Sequence, residues 1–346
     1  MKLFVKNVAK FLIPPLVVLC AIEVMLPSTS FTFRIWEAIG AKSGYLLGPF
    51  YPNVDISDTE VGDLVPHSKF AIEKEVFWKT DKLGYRNDSF IATPDILLIG
   101  DSNIAGGSLS QEETLTHHLK QETGLAVYNL SPADMNTYIG FRNEGVFMTP
   151  RIIIYSCIER GIPILLPVNE LVRRKYLDIR LNPLFQFVAV HFDKLYKSNS
   201  LEYLKARTQY LGRQAIQSPN GEDMFFVQGA GAVLDTEGDL LNQVSARINS
   251  YKSYCDSIGC EFVFMAIPNK ETIFWQLAGL ERQPTFVDRL NNKLNSEGIK
   301  TIDMVRVFAR LLQQGIVPYH YDDSHWNVHA VKAAAKEIAE DVISMN

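Results

Sequence analysis

A chain of 346 residues is long enough to bury one sizeable core, with room for a small second lobe. Its composition, 47% hydrophobic and 21% charged, is that of a globular protein and excludes a disordered or low-complexity chain. A formal net charge of −5, with no long basic run, argues against nucleic acid as a partner.

The first predicted element is apolar. Lys2, Lys6 and Lys10 precede a run of 16 residues, 11–26, interrupted only by Glu23. Positive charge stays on the cytoplasmic side, so everything after the run belongs on the other side of a membrane. The run is shorter than the ~20 residues that cross a bilayer comfortably, a mismatch that tilt or local thinning absorbs. Residues 1–27 therefore read as a signal-anchor. A signal peptide cleaved near Ser28-Thr29-Ser30 is the alternative. In the first case the chain is membrane-bound with its body in the periplasm or at the cell surface; in the second it is secreted.

Residues 28–90 form a lead-in region rich in Pro, Gly, Ser and Asp, with few clear periods. A regular alternation begins at 91. The run 95–99, ended by Gly100, suits a buried parallel strand. Ser110-Gln111-Glu112-Glu113 is a capping box that opens a helix ending near Gly124. A strand over 125–130, a helix over 136–148 and a strand over 151–157 follow. The segment at about 162–238 breaks the rhythm with aromatic-rich helical stretches and reads as an insertion. Beyond it Leu241, Val244, Ile248, Tyr251 and Cys255 share one helical face. A strand over 261–267, a helix over 286–294, a strand over 299–303 and a final helix striped by Val331, Ala334, Ala335, Ile338 and Val342 complete the series. Five strands alternating with helices imply an α/β fold, a doubly wound parallel sheet of the flavodoxin type. Cys255 and Cys260 bracket a helix-to-strand turn, as a disulfide or as two separate buried thiols. No Cys or His spacing resembles a zinc site, and no motif calls for a metal or cofactor.

Doubly wound sheets keep their sites at the carboxyl ends of the strands, and two motifs fall there. Gly100-Asp101-Ser102-Asn103 follows the first strand of the series. A glycine allows a sharp turn that lifts the Ser102 hydroxyl above the sheet edge, with backbone N–H groups facing a developing oxyanion. Tyr321-Asp322-Asp323-Ser324-His325-Trp326-Asn327 precedes the last helix. A serine nucleophile needs a base, and the base needs an orienting carboxylate. His325 supplies the first, and Asp322 and Asp323 compete for the second.

The pair resembles blocks I and V of the SGNH (GDSL-type) hydrolase superfamily. The sequence is similar above all to its membrane-anchored branch, which includes the alginate O-acetyltransferases. Leu83-Gly84-Tyr85-Arg86-Asn87, Ile267-Pro268-Asn269-Lys270-Glu271 and Asp323-Ser324-His325-Trp326 carry the likeness, which covers about residues 80–346. It implies that Ser102 attacks an acyl carbonyl and that His325 takes its proton. Asp322 fits the Asp-x-x-His spacing of the wider superfamily and Asp323 the Asp-x-His spacing of the acetyltransferase branch; Trp326 favours Asp323.

The oxyanion hole departs from the family pattern, which supplies a glycine N–H and an asparagine side chain. Asn129-Leu130-Ser131-Pro132-Ala133-Asp134 follows the second strand, so Ala133 or Asp134 stands where glycine is expected. Cys157-Ile158-Glu159-Arg160 replaces Gly-x-Asn-Asp after the third. Arg160, Asn103 and Asn136 are alternative donors, and Lys270 is a candidate substrate contact. The expected function is O-acyl, above all O-acetyl, transfer or ester hydrolysis on an extracytoplasmic polysaccharide, with an acyl donor supplied by a membrane partner. The alternative is a catalytically idle scaffold or binding subunit of a surface-polysaccharide assembly complex.

Overall fold

The computed structural model describes residues 2–25, 32–66, 68–197, 216–217, 223–227 and 238–340. Its centre is the expected parallel sheet. The strands β3 (Ile96–Ile99), β4 (Val127–Leu130), β5 (Ile152–Ile158), β8 (Glu261–Ile267) and β9 (Lys300–Asp303) lie in the order β4-β3-β5-β8-β9, each pair parallel. The order reverses between β3 and its two neighbours, and a crevice opens above such a switch point. The predicted strands lie within two residues of the observed ones.

Alternate side chains of each strand feed two cores, as a period of two requires. Leu97 and Ile99 face helices Met135–Asn143, Gly238–Ser257 and Phe286–Ser296. Ile96 and Leu98 face helices Leu115–Thr123, Met304–Gln313 and Val328–Ile338. The predicted faces hold: Val244, Ile248, Tyr251 and Cys255 are fully buried, as are Val331, Ala334, Ala335 and Ile338, while Val342 lies outside the described residues. Cys255 and Cys260 are unbridged buried thiols.

Several boundaries move. The helix expected over 136–148 is Met135–Asn143. The capping box is present, but it opens a single 3-10 turn, Gln111–Glu113; the helix proper starts at Leu115 with Thr114 as its cap. The lead-in region is better ordered than its composition suggests. It forms a short helix, Ile35–Ile39, and an antiparallel hairpin of β1 (Asp55–Glu60) and β2 (Lys74–Lys79), packed around Phe50, Val76 and Trp78. Arg86 explains part of that order. Its buried guanidinium stacks 3.8 Å from the Trp78 ring and donates to the carbonyls of Phe77, Gly106 and Leu109.

Within the insertion, helices Leu177–Leu181 and Pro183–Lys197 are followed by two short paired strands, β6 (Ile216–Gln217) and β7 (Asp223–Met224). The N-terminal helix runs further than the apolar run, over Lys2–Met25, and includes Lys6, Lys10, Pro14 and Pro15. Its stretch Phe4–Ala21 is apolar and long enough to cross a membrane.

Candidate active site

The Gly100–Asn103 turn sits at the carboxyl end of β3. A Cβ on Gly100 would lie 2.7 Å from Ile104 Cγ1 and 2.9 Å from the Ser156 carbonyl, so a side chain has no room there. Asp101 shapes the turn. One carboxylate oxygen accepts from the Asn103 N–H at 2.9 Å and the other from the Ile158 N–H at 2.6 Å, tying the nucleophile turn to the end of β5. Ser102 opens a one-turn helix that Gly106 ends in the left-handed region, at φ 82°.

The 320–327 loop brings the second motif onto this turn. His325 Nε2 lies 2.7 Å from Ser102 Oγ, and His325 Nδ1 lies 2.5 Å from Asp323 Oδ1. Trp326, fully buried, donates from its indole to the Asn103 carbonyl at 3.1 Å and locks the two motifs together. The imidazole lies against the backbone of Gly107: a Cβ there would sit 2.9 Å from His325 Nε2.

The two carboxylates face different partners. Asp323 accepts from the His325 ring, from the His325 N–H at 2.8 Å, from Ser108 Oγ at 2.5 Å and from the Asp63 N–H at 2.9 Å. Asp322 points elsewhere, accepting from the N–H groups of Gly62 and Ile72, both at 2.9 Å. Asp322 therefore anchors the loop and does not orient the histidine. Burial by itself would raise the Asp323 carboxyl, but His325 and its hydrogen bond outweigh it and hold Asp323 well below the usual carboxylate range. Burial would lower the imidazole in turn; the Asp323 charge and hydrogen bond reverse this and leave His325 above its ordinary value. An ionised acceptor thus faces an imidazole ready to carry a proton.

The other expected site residues separate into two groups. Asp134 caps the helix Met135–Asn143 through the Thr137 N–H. Asn136 is held by the Asn169 N–H and the Pro167 carbonyl. Asn103 donates to Asp101 and accepts from the Trp326 N–H. The Ala133 N–H, where the family pattern has glycine, donates to the Gly100 carbonyl at 2.9 Å. These groups serve the scaffold. Lys270 does too: its buried ammonium donates to the carbonyls of His320, Tyr321 and Asp323, so it braces the histidine loop and is no substrate contact. Burial, partly offset by Asp323 and other acids, brings its pKa down to about 8. Arg160 differs. It is half-buried at the carboxyl end of β5, and its guanidinium reaches Asn269 at 3.3 Å. Glu159 accepts from the Asn269 N–H and the Thr272 hydroxyl.

Sequence reasoning missed the lead-in clamp. Asp63 accepts from the Ser324 N–H and hydroxyl at 2.8 and 2.7 Å, and its carboxylate lies 3.6 Å from Arg34. Gly62 lies so close to Asp322 that a Cβ would meet its carbonyl at 2.3 Å. The carboxylates of Asp63 and Asp323 and a His325 nitrogen come within 4.8 Å of one another, the spacing of a metal site. All three are engaged in the hydrogen bonds above, which orient the imidazole and its loop.

Residues 224–345 match the family described as SGNH hydrolase-like domain, acetyltransferase AlgX. The match includes Asp323 and His325, and the folded chain adds Ser102 to them. No curated protein matches the chain. Three solved structures resemble it distantly. A lipolytic protein of the G-D-S-L family from Veillonella parvula is 12% identical over 72% of this chain and 97% of that one, with a TM-score of 0.39. An acylhydrolase described as putative, from Bacteroides fragilis, is 8% identical over 73% and 88%, with a TM-score of 0.36. A GDSL-like lipase from Bacteroides thetaiotaomicron is 7% identical over 74% and 89%, with a TM-score of 0.35.

Proposed function

We propose that this chain, whose residues 224–345 match an SGNH hydrolase-like domain, transfers or hydrolyses an O-acyl group, with acetyl our choice, on a glycan outside the cytoplasm. The hydrogen-bonded line Ser102–His325–Asp323 carries the reading. In it Ser102 Oγ attacks the acyl carbonyl while its proton passes to His325 Nε2, and Asp323 stabilises the imidazolium. The donor's alcohol leaves with that proton, and the acyl group stays on Ser102. A sugar hydroxyl then gives its proton to His325 and attacks the acyl-serine, which frees Ser102. If water attacks instead, the same site is an esterase. For the oxyanion we favour Arg160, whose cationic head lies at the same edge of the sheet, since a charge-assisted donor suits a developing anion. A membrane partner is the proposed source of the acyl donor.

The second reading, an idle scaffold subunit, is favoured by one observation: the Ala133 N–H, where the family pattern has glycine, is spent on the Gly100 carbonyl. A fluorophosphonate probe on the full chain in detergent separates the two. Stable labelling at Ser102, together with loss of p-nitrophenyl acetate turnover in Ser102→Ala, supports the enzyme. An unlabelled serine supports the scaffold. Acetylated oligosaccharide, detected by mass spectrometry after an acceptor is added, identifies the transferase.

A further inference from the structure

The helix Pro183–Lys197 is built inside out. Its buried stripe is Gln186, Ala189, Asp193 and Lys197, spaced as one helical face. The three polar members of that stripe fasten it to the lead-in region. Gln186 donates to the Lys82 carbonyl, Asp193 accepts from the N–H of Lys42 and the Tyr51 hydroxyl, and Lys197 donates to the carbonyls of Ala38 and Gly40. The opposite face carries Leu184, Phe187, Val188, Phe192 and Leu195, from 42% to 73% exposed, with Tyr45 packed edge-on against Phe192 at 5.5 Å. A soluble surface rarely leaves so continuous an apolar stripe in water.

Two neighbours say what covers it. The apolar N-terminal helix Lys2–Met25 comes into contact with this helix. Beside it opens a groove of about 570 Å³ lined by Tyr45, Arg173, Arg174, Lys175, Tyr176 and Arg180. Segment 173–180 holds four cations against the single acid Asp178. An apolar helical face rimmed by cations and tyrosines is the pattern of an interfacial helix.

We propose that Pro183–Lys197 lies in the surface of an anionic lipid bilayer. Its apolar face enters the acyl boundary, and the 173–180 groove takes lipid phosphates. The catalytic body is then held against the membrane at two points and cannot swing freely on its N-terminal helix. This rests on the reading of that helix as an anchor, not on the chemistry at Ser102.

The test uses the full chain reconstituted in phosphatidylcholine vesicles with and without phosphatidylglycerol. Val188→Cys, in a Cys20→Ser background, carries a bimane label. Brominated acyl chains should quench most of its fluorescence, iodide should not reach it, and phosphatidylglycerol should strengthen the effect. Reversing Arg173, Arg174 and Lys175 to Glu should weaken docking by at least roughly fivefold per cation. A label on the exposed Lys336→Cys should respond only to iodide. If the protein floats with the vesicles but iodide quenches Val188→Cys and brominated lipid does not, the proposal is overturned; the face then belongs to a protein partner or to water. Failure to float overturns the anchor reading and the docking with it, and p-nitrophenyl acetate turnover reports separately on Ser102.

Discussion

Gly107→Ala tests the site with a single carbon atom. Gly107 does not occupy the left-handed region, so alanine costs no backbone strain there. The added Cβ would lie 2.9 Å from His325 Nε2, 3.0 Å from Cδ2 and 3.2 Å from Cε1, all on the catalytic ring. Ordinary contact is about 3.5–4.0 Å. The imidazole must therefore retreat by roughly 0.5–1 Å, and it is pinned on its other side by Asp323. That retreat stretches the 2.7 Å bond to Ser102 beyond useful reach. A misplacement of this size costs about 10²-fold in rate, or about 2.7 kcal/mol of transition-state stabilisation. Hydrolysis of p-nitrophenyl acetate reads kcat/KM, and thermal unfolding checks the fold. Wild-type kcat/KM in a folded Gly107→Ala protein would refute the assignment of His325 as the base acting on Ser102.

Two further outcomes follow from the same geometry. Asp323→Asn keeps the shape of the carboxylate and removes its charge. Turnover should fall by about 10⁴-fold, and the acid limb of kcat/KM should move to lower pH, because the imidazole loses what holds it above its ordinary value. A purely structural Asp323 would leave the limb in place. The pair's contribution to stability has the opposite dependence at each end. The depressed Asp323 is lost as pH falls through its folded value, and the raised His325 is lost as pH rises through its own. The gap in urea midpoint between wild type and variant should thus be widest between about pH 4 and 6.5; a gap that grows continuously towards alkaline pH would contradict this. Arg86→Met removes the guanidinium from the carbonyls of Phe77, Gly106 and Leu109, of which Gly106 keeps the Leu109 N–H at 3.2 Å. It should destabilise the protein by roughly 3–5 kcal/mol in denaturant titration, and an unchanged midpoint would show that water replaces the guanidinium.

What the sequence revealed follows the range of the interactions. The strands and the two motifs were legible because apolar runs and turn residues are local, and because the strand ends of a doubly wound sheet concentrate function. Asp322 and Asp323 were not separable by spacing. The choice depends on which carboxylate meets the N–H groups of Gly62, Asp63 and Ile72, about 250–260 residues away. Lys270 misled for a similar reason. A lysine after a strand suggests a substrate contact, and only the folded chain reveals three carbonyls around it. The aromatic insertion showed a helical period but not which side faces inward. An apolar stripe is normally the buried one, and here Asp193 and Lys197 take that place.

The distance along the chain between Ser102 and His325, 223 residues, has a consequence during synthesis. At about 5–20 residues per second, roughly 10–45 s pass between the emergence of the two. For all that time the serine is an ordinary alcohol, without a base to deprotonate it. Asp63, Lys270 and Asn103 each wait for the same late loop. The nascent chain therefore lacks the Ser102–His325–Asp323 line until His325 itself has been made.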